Sequence, residues 1–211
     1  MVKKYVAETG VSFLSVDYRL APEFSYDALS EDVLTGLRWM LDHSTQLHVD
    51  KLHVGLMGDS AGGGIAAGAA ILSRDRGIPV SRQILVYPML DDRNQVPLKS
   101  LEPYIGWNWE KNFTGWNTLF GRRLGSDCIS PAVGPARLID AAGLPKTYIE
   151  VGELDIFREE GIAYAQKLMQ AGVPTELHVH AGAPHVFDRI APTAAISQRA
   201  LADRFSNILA V

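Results

Sequence analysis

The chain predicts an α/β fold, a mostly parallel sheet with helices on both faces. Two observations carry this. Short apolar, β-branched runs recur along the 211 residues, separated by segments of helical period, as βαβ units require. One of these runs passes through a glycine-bounded turn, Gly-Asp-Ser-Ala-Gly-Gly-Gly, straight into a small-residue helix. At this length one domain over residues 1–211 is the default reading.

The elements follow in order. Val11–Tyr18 (VSFLSVDY) is apolar and β-branched and predicts a first buried strand. Pro22 and Phe24 mark the loop after it. From about Ala28 to His43 the period becomes helical, with Leu29, Val33, Leu37 and Met40 on one face and Glu31, Asp32 and Arg38 elsewhere. His53–Gly58 is a second strand, and the run after Ser60 is a helix to about Arg74. Arg82–Pro88, Thr147–Gly152 and Thr175–His180 are the third, fourth and fifth strands. A helix over Arg158–Ala171 lies between the last two and is closed by Gly172 and Pro174. Ile196–Leu209 is a closing helix, with Pro192 near its start. The stretch from Asp91 to Ala142 breaks the alternation, and about 95–140 reads as an insertion after a strand end, where such sheets bind ligands. Trp107, Trp109 and Trp116 within it are candidates for a substrate-pocket wall; the alternative is that they only pack the insertion onto the body.

Gly58-Asp59-Ser60-Ala61-Gly62 matches G-x-S-x-G. A strained strand-to-helix turn projects the serine hydroxyl from the sheet, and side chains at Gly58 and Gly62 are expected to collide with neighbouring backbone. The Ala61 amide, at the helix N-terminus, points at a developing oxyanion. A nucleophilic serine needs a base and an orienting acid past later strand ends, in the order Ser, Asp, His. Asp155 follows the fourth strand and His185 follows the fifth, in a Gly/Pro-bounded loop. Glu153 competes for the acid role, while Glu159 and Glu160 read as first-turn acids that complement a helix dipole. His178 and His180 lie within a strand and read as structural or surface residues.

Composition excludes other classes. With 20 Lys+Arg against 24 Asp+Glu and no basic cluster longer than a pair, nothing points to nucleic acid. No apolar run approaches the length of a membrane span. A single cysteine, Cys128, and no signal-peptide pattern point to a reducing, cytoplasmic setting. The histidines and acids lack metal-ligand spacing, and Gly62-Gly63-Gly64 lacks the lysine of a phosphate-binding loop. The extra glycines read as room for close helix-to-sheet packing.

Five stretches together resemble one family: SVDYRLAPEF (Ser15–Phe24), GDSAGGG (Gly58–Gly64), YPMLDDR (Tyr87–Arg93), GLPKTYIEVGELDIFREEG (Gly143–Gly161) and GAPHVF (Gly182–Phe187). In this order they resemble the hormone-sensitive-lipase-like group of α/β-hydrolases, the α/β-hydrolase fold-3 esterases. The resemblance implies an α/β-hydrolase sheet and hydrolysis of small carboxylic esters with short to medium acyl groups. It implies an acyl-enzyme on a Ser60–His185–Asp155 triad, without metal or organic cofactor. Asp17, Arg19 and Glu23 are then structural. The family also carries a His-Gly-Gly-Gly oxyanion loop upstream of the DYRLAPE segment, and these residues contain none. The expectation is an N-terminally truncated member lacking the first strands, with Met1–Glu8 as the helix that follows that loop. Its oxyanion hole is reduced to Ala61, its pocket is more open and its activity is lowered. The alternative is an inactive fragment that binds or regulates. In the family, the strand before the missing loop separates the Val11–Tyr18 strand from the Ser60 strand. An exposed edge is therefore expected on His53–Gly58, with Val11–Tyr18 either pairing there or poorly anchored.

Overall fold

The computed structural model describes residues 1–211. Its sheet has four strands, all parallel and in sequential order: β1 (Gly55–Asp59), β2 (Arg82–Val86), β3 (Lys146–Leu154) and β4 (Thr175–Pro184). Side-chain alternation gives the sheet two apolar faces. Leu56, Leu85 and Ile149 pack against α4 (Ala61–Asp75) and α6 (Arg158–Gln170). Ile84, Val86 and Tyr148 pack on the opposite face against α8 (Ala195–Leu209), with Tyr5 of α1 (Val2–Thr9) in the same cluster. Helices therefore cover both faces, as the alternation of elements predicts.

The α4 helix can lie close because its inner residues are small. Ala66, Ala67, Ala69 and Ala70 are buried, and a Cβ on Gly68 would come within 1.9 Å of the Ala132 carbonyl oxygen. The helix α2 (Asp27–Asp42) crosses α4 there, and Ser30 Oγ donates to the same carbonyl at 2.7 Å. Its buried stripe is Ser30, Leu34, Leu37 and Leu41, about one residue round from the expected Leu29, Val33, Leu37 and Met40 face. The rotation follows from the crossing, which puts a small polar residue against a glycine and leaves the long side chains beside it. The short helices α3 (Ser44–Leu47) and α7 (Phe187–Ile190) complete the turns before β1 and after β4.

The first expected strand does not form. Val11–Tyr18 is extended but belongs to no sheet, and none of its amides from Ser12 to Tyr18 is bonded to the protein. A strand needs a neighbouring backbone, and here the neighbours are helices. Val16 lies against Gly36 of α2, where an added Cβ would meet Val16 Cγ2 at 2.9 Å, and Phe13 stacks on Tyr5 of α1 at 6.0 Å. Arg19 then pins the end of the segment to Asp32 through its amide and guanidinium. Of the two expected outcomes for this segment, pairing onto β1 is excluded, and β1 is an edge strand bonded only to β2. Met1–Glu8 does form a helix, and Gly10 caps it in the left-handed region with φ 69°.

A second difference sits at the far edge. Residues from Ala181 to Pro184 were expected as loop, yet β4 continues to Pro184 across an irregularity opposite Gly152 and Leu154. Gly182, at φ 71°, and a Cβ-free Gly152 whose added Cβ would meet Ala183 O at 2.2 Å permit this close passage. The longer strand carries His185 to the sheet's carboxyl end.

Candidate active site

Ser60 directly follows β1, Asp155 directly follows β3 and His185 directly follows β4. Parallel strands place these three positions at one end of the sheet, and the side chains meet there. Ser60 Oγ lies 3.0 Å from His185 Nε2, and His185 Nδ1 lies 2.6 Å from Asp155 Oδ2. Asp155 is fully buried and His185 nearly so; the other Asp155 oxygen accepts the Phe157 amide at 3.0 Å. The imidazole is held between two aromatic edges, Tyr87 at 4.9 Å and Phe157 at 5.1 Å between ring centroids.

The turn around Ser60 is strained as its motif predicts. Ser60 has φ 56° and ψ −122°, a region that side-chain-bearing residues rarely adopt. Four backbone bonds hold it: the Ser60 amide donates to Val86 O at 2.9 Å, while the Ser60 carbonyl accepts from Met89 at 3.0 Å, from Gly63 at 3.0 Å and from Gly64 at 3.2 Å. Tyr87, between Val86 and Met89 in that brace, is itself at φ 37°. Of the glycines, Gly62 alone departs from the expectation. Gly58 is obligatory, since its Cβ would meet Gly62 O at 2.0 Å. Gly62 has only Asp59 Oδ1 nearby, at 4.0 Å, so no collision requires a glycine there. The close approach falls on the next two residues, on Gly63 against Pro88 and Gly64 against Met89 O at 2.1 Å. The turn descends onto the chain leaving β2, so crowding begins at the third residue of α4 and spares the two before it.

Ala61 opens α4, exposed to solvent, and its amide is bonded to no protein acceptor. It is free to meet an anionic oxygen in front of Ser60. Asp59, the variable residue of the turn, forms an ion pair with Arg189, four residues past His185. That pair joins the serine turn to the histidine turn across the mouth of the site.

The competing acids have other partners. Glu153 accepts the Gly182 amide at 2.7 Å. Glu159 is exposed and pairs with Arg158, as a first-turn acid should. Glu160 does not fit that description. It is buried, it accepts the Leu90 amide at 2.6 Å and Asn94 Nδ2 at 3.0 Å, and burial pushes its carboxyl well above the usual range. His178 is half-exposed between Glu176 and Asp203. His180 is buried, with its pKa lowered to about 4 by burial first and then by the neighbouring His178 and Arg204.

Two of the three tryptophans are buried in the body of the protein. Trp109 and Trp116 open and run along α5 (Trp109–Phe120), are 6% and 3% exposed, and belong to the main core; Trp116 stacks on Phe120 at 5.6 Å. Trp107 is half-buried against that core. Their size and apolar area drive them inward, the packing alternative of the two readings. Trp109 also borders a cleft of about 300 Å³ with Pro97, Glu102, Ile105, Asn108 and Glu110, lined by neither Ser60 nor His185.

Sequence reasoning missed one cluster entirely. Arg204 of α8, Glu150 of β3 and Asp188 of α7 are all buried behind the histidine turn, both carboxylates paired with the arginine. The available signal was a glutamate inside the apolar strand Thr147–Gly152, which demands a buried cation.

No helix is long and apolar enough to cross a membrane. Compared with known proteins, the chain is 37% identical over 169 residues to esterase LipI of Mycobacterium tuberculosis, covering 78% of this chain and 52% of that protein. It is 31% identical over 180 residues to an arylesterase of Saccharolobus solfataricus, covering 81% and 58%. The crystal structure of esterase LipW from Mycobacterium marinum superposes with a TM-score of 0.86 at 36% identity, over 98% of this chain and 65% of that one. The chain thus spans about half the length of the curated relatives it matches. Residues 1–189 match the family described as alpha/beta hydrolase fold, and with the parallel sheet and the serine turn at its carboxyl end, the chain belongs to the hormone-sensitive-lipase-like α/β-hydrolases.

Proposed function

We propose that this chain is the catalytic core of a serine carboxylic-ester hydrolase. The observation that carries the reading is the continuous chain of hydrogen bonds from Ser60 Oγ to His185 Nε2, at 3.0 Å, and from His185 Nδ1 to Asp155 Oδ2, at 2.6 Å. In this reading His185 removes the Ser60 proton as the oxygen attacks the ester carbonyl. Asp155 keeps the proton on Nδ1, so Nε2 is the basic nitrogen, and stabilises the imidazolium that forms. The carbonyl oxygen, now anionic, accepts the Ala61 amide. His185 then delivers the proton to the leaving alkoxide, and an acyl group remains on Ser60. Water repeats the sequence with His185 as base, releasing the carboxylic acid and returning the proton to Ser60.

Small esters with short to medium acyl groups are the proposed substrates, in keeping with relatives named as esterase and arylesterase. Ala61 is the one oxyanion donor that the serine turn offers, and these 211 residues include no His-Gly-Gly-Gly segment. Each absent donor costs about 10²–10³ in turnover, so the isolated polypeptide is expected to be a slow enzyme.

The test is hydrolysis of nitrophenyl acetate and butyrate by the chain and by Ser60→Ala, with a fluorophosphonate probe to locate the adduct. The reading requires turnover that disappears in the variant and a phosphonylated Ser60. Equal rates in both proteins reject it. A second reading, a non-hydrolytic binding module, draws on the unpaired outer side of β1, a ready template for another strand; it predicts those equal rates.

A further inference from the structure

We propose that Arg204 is a positioning residue for His185, acting through Asp188 and Tyr87. This rests on the acyl-transfer reading of the Ser60 site. Arg204 is wholly buried in α8, on the side of the sheet away from α4 and α6. Its Nη1 donates to Asp188 Oδ2 at 2.7 Å, and its Nε donates to Glu150 Oε1 at 2.9 Å, with Nη2 on the same oxygen. Tyr148 donates its hydroxyl to the other Glu150 oxygen at 2.6 Å. The guanidinium also lies 5.7 Å from the Tyr87 ring centre, over its face, and the Tyr87 hydroxyl donates to Asp188 Oδ1 at 3.3 Å.

Each of these partners is one step from a member of the triad. Asp188 is three residues past His185, in the helical turn that follows the imidazole. Tyr87 lies in the brace that holds the Ser60 backbone, and its ring edge meets the His185 ring at 4.9 Å. Glu150 is in β3, the strand that Asp155 directly follows, and its carbonyl accepts the Tyr87 amide at 2.7 Å. One cation thus ties the backs of all three turns together.

A merely space-filling role would not select this composition. Burying two carboxylates beside one guanidinium is costly, and a hydrophobic replacement of similar volume is often no less stable. What an ionic knot adds over an apolar one is direction, because charged hydrogen bonds fix the geometry of their partners. Here the direction passes to the imidazole. Tyr87 is held at an unfavourable φ of 37° with its hydroxyl on Asp188, and its ring forms one wall of the slot whose other wall is Phe157. The groups facing the ring are Ser60 from the turn after β1, Tyr87 after β2, and Asp155 and Phe157 after β3. Asp155 is the only charged one, and it sets the tautomer. Tyr87 sets the tilt that aims Nε2 at Ser60.

The test uses the whole chain with Asp188→Asn, Tyr87→Leu and Arg204→Lys, read by ester turnover, thermal melting and the nitrogen-15 imidazole spectrum of His185. Asp188→Asn keeps the shape and removes the charge that Arg204 grips; Arg204→Lys keeps the charge and cannot reach both acids. The expected result, well below the melting temperature, is a fall in kcat of about 10- to 100-fold with KM nearly unchanged, the size of effect a small misalignment produces. The His185 resonances should shift or broaden in the same variants, with Arg204→Lys intermediate. Should Arg204→Lys fail to fold, Asp188→Asn and Tyr87→Leu decide alone. Variants that melt earlier yet keep wild-type kcat and a wild-type His185 spectrum overturn the proposal. The spectrum is also recorded in a Ser60→Ala background. A knot that orients the ring perturbs it there too, even if Ser60 proves not to be the nucleophile.

Discussion

At the carboxyl end of the sheet every turn is gripped from several sides, whereas along Val11–Tyr18 the backbone is held only at Val11, whose amide donates to Thr9 Oγ1 at 3.2 Å. Ser60 is fixed by four backbone bonds, by the glycine contacts of α4 and by the hydroxyl's own partner. The extended N-terminal segment meets its neighbours mainly through side chains, Val16 on Gly36 and Phe13 on Tyr5, before Arg19 ties its end to Asp32 by amide and guanidinium. Both regions have strong local signals. The difference teaches that strained, functional geometry persists where backbone contacts over-determine it, while β-branched residues without a partner backbone stay merely extended.

The largest test of this contrast is chemical. Ser60→Ala should lower ester turnover by about 10⁴-fold or more, and Asp155→Asn by about 10³- to 10⁴-fold by stabilising the wrong imidazole tautomer. Both are measured with nitrophenyl esters at equal folded concentration. Melting curves for the two variants that stay near wild type would locate these losses in the chemistry.

A stability pair sharpens the contrast within α4. Gly64→Ala drives a Cβ to 2.1 Å from the Met89 carbonyl oxygen and should cost about 2–3 kcal/mol. Gly62→Ala meets nothing closer than 4.0 Å and should be neutral or gain up to about 1 kcal/mol from helix propensity. Urea titration of both variants checks the difference. Equal losses would mean that the crowding is not where the backbone puts it.

Acid sensitivity should also belong to the sheet and not to the flank. The folded pKa of His180 is about 4, below its ordinary 6.5. The unfolded chain therefore takes up the proton first, and the His180 contribution, full above pH 6.5, is lost as pH falls from 6.5 toward 4. Glu150 and Glu160, raised by burial, act with the opposite sign, so the comparison is between the chain and His180→Gln. The variant should show the shallower loss of stability over that window. A parallel decline in both would sink the assignment.

The smallest effect is expected in the flank. Phe13→Ser loses the Tyr5 stack and half-buried apolar area, and should cost about 1 kcal/mol with ester turnover unchanged. A cost matching that of Gly64→Ala would break the contrast, because it would make the segment part of the cooperative core.

Much of the site was legible one residue at a time. The motif from Gly58 to Gly62 announces a strained turn because few other arrangements tolerate glycine, serine and glycine in that spacing between a strand and a helix. Asp155 and His185 are legible because each directly follows or nearly follows an apolar strand, and parallel strands bring such positions together. The tryptophans were ambiguous because a large aromatic ring serves a pocket and a core equally well until the packing is known. Arg204 was hidden for a different reason: its partners Glu150 and Asp188 are 54 and 16 residues away, and helical period alone treats an arginine as a solvent-facing residue.

What the sequence by itself determined is therefore the set of strands with a partner, the helices between them and the three residues at their ends, because periodicity and turn chemistry are local properties. The tertiary structure alone decided that Val11–Tyr18 stays unpaired, that β4 runs on to His185, that Gly62 is not crowded and that a buried arginine backs the site. Each of those depends on which backbone or charge lies opposite, and that is settled only when distant segments meet.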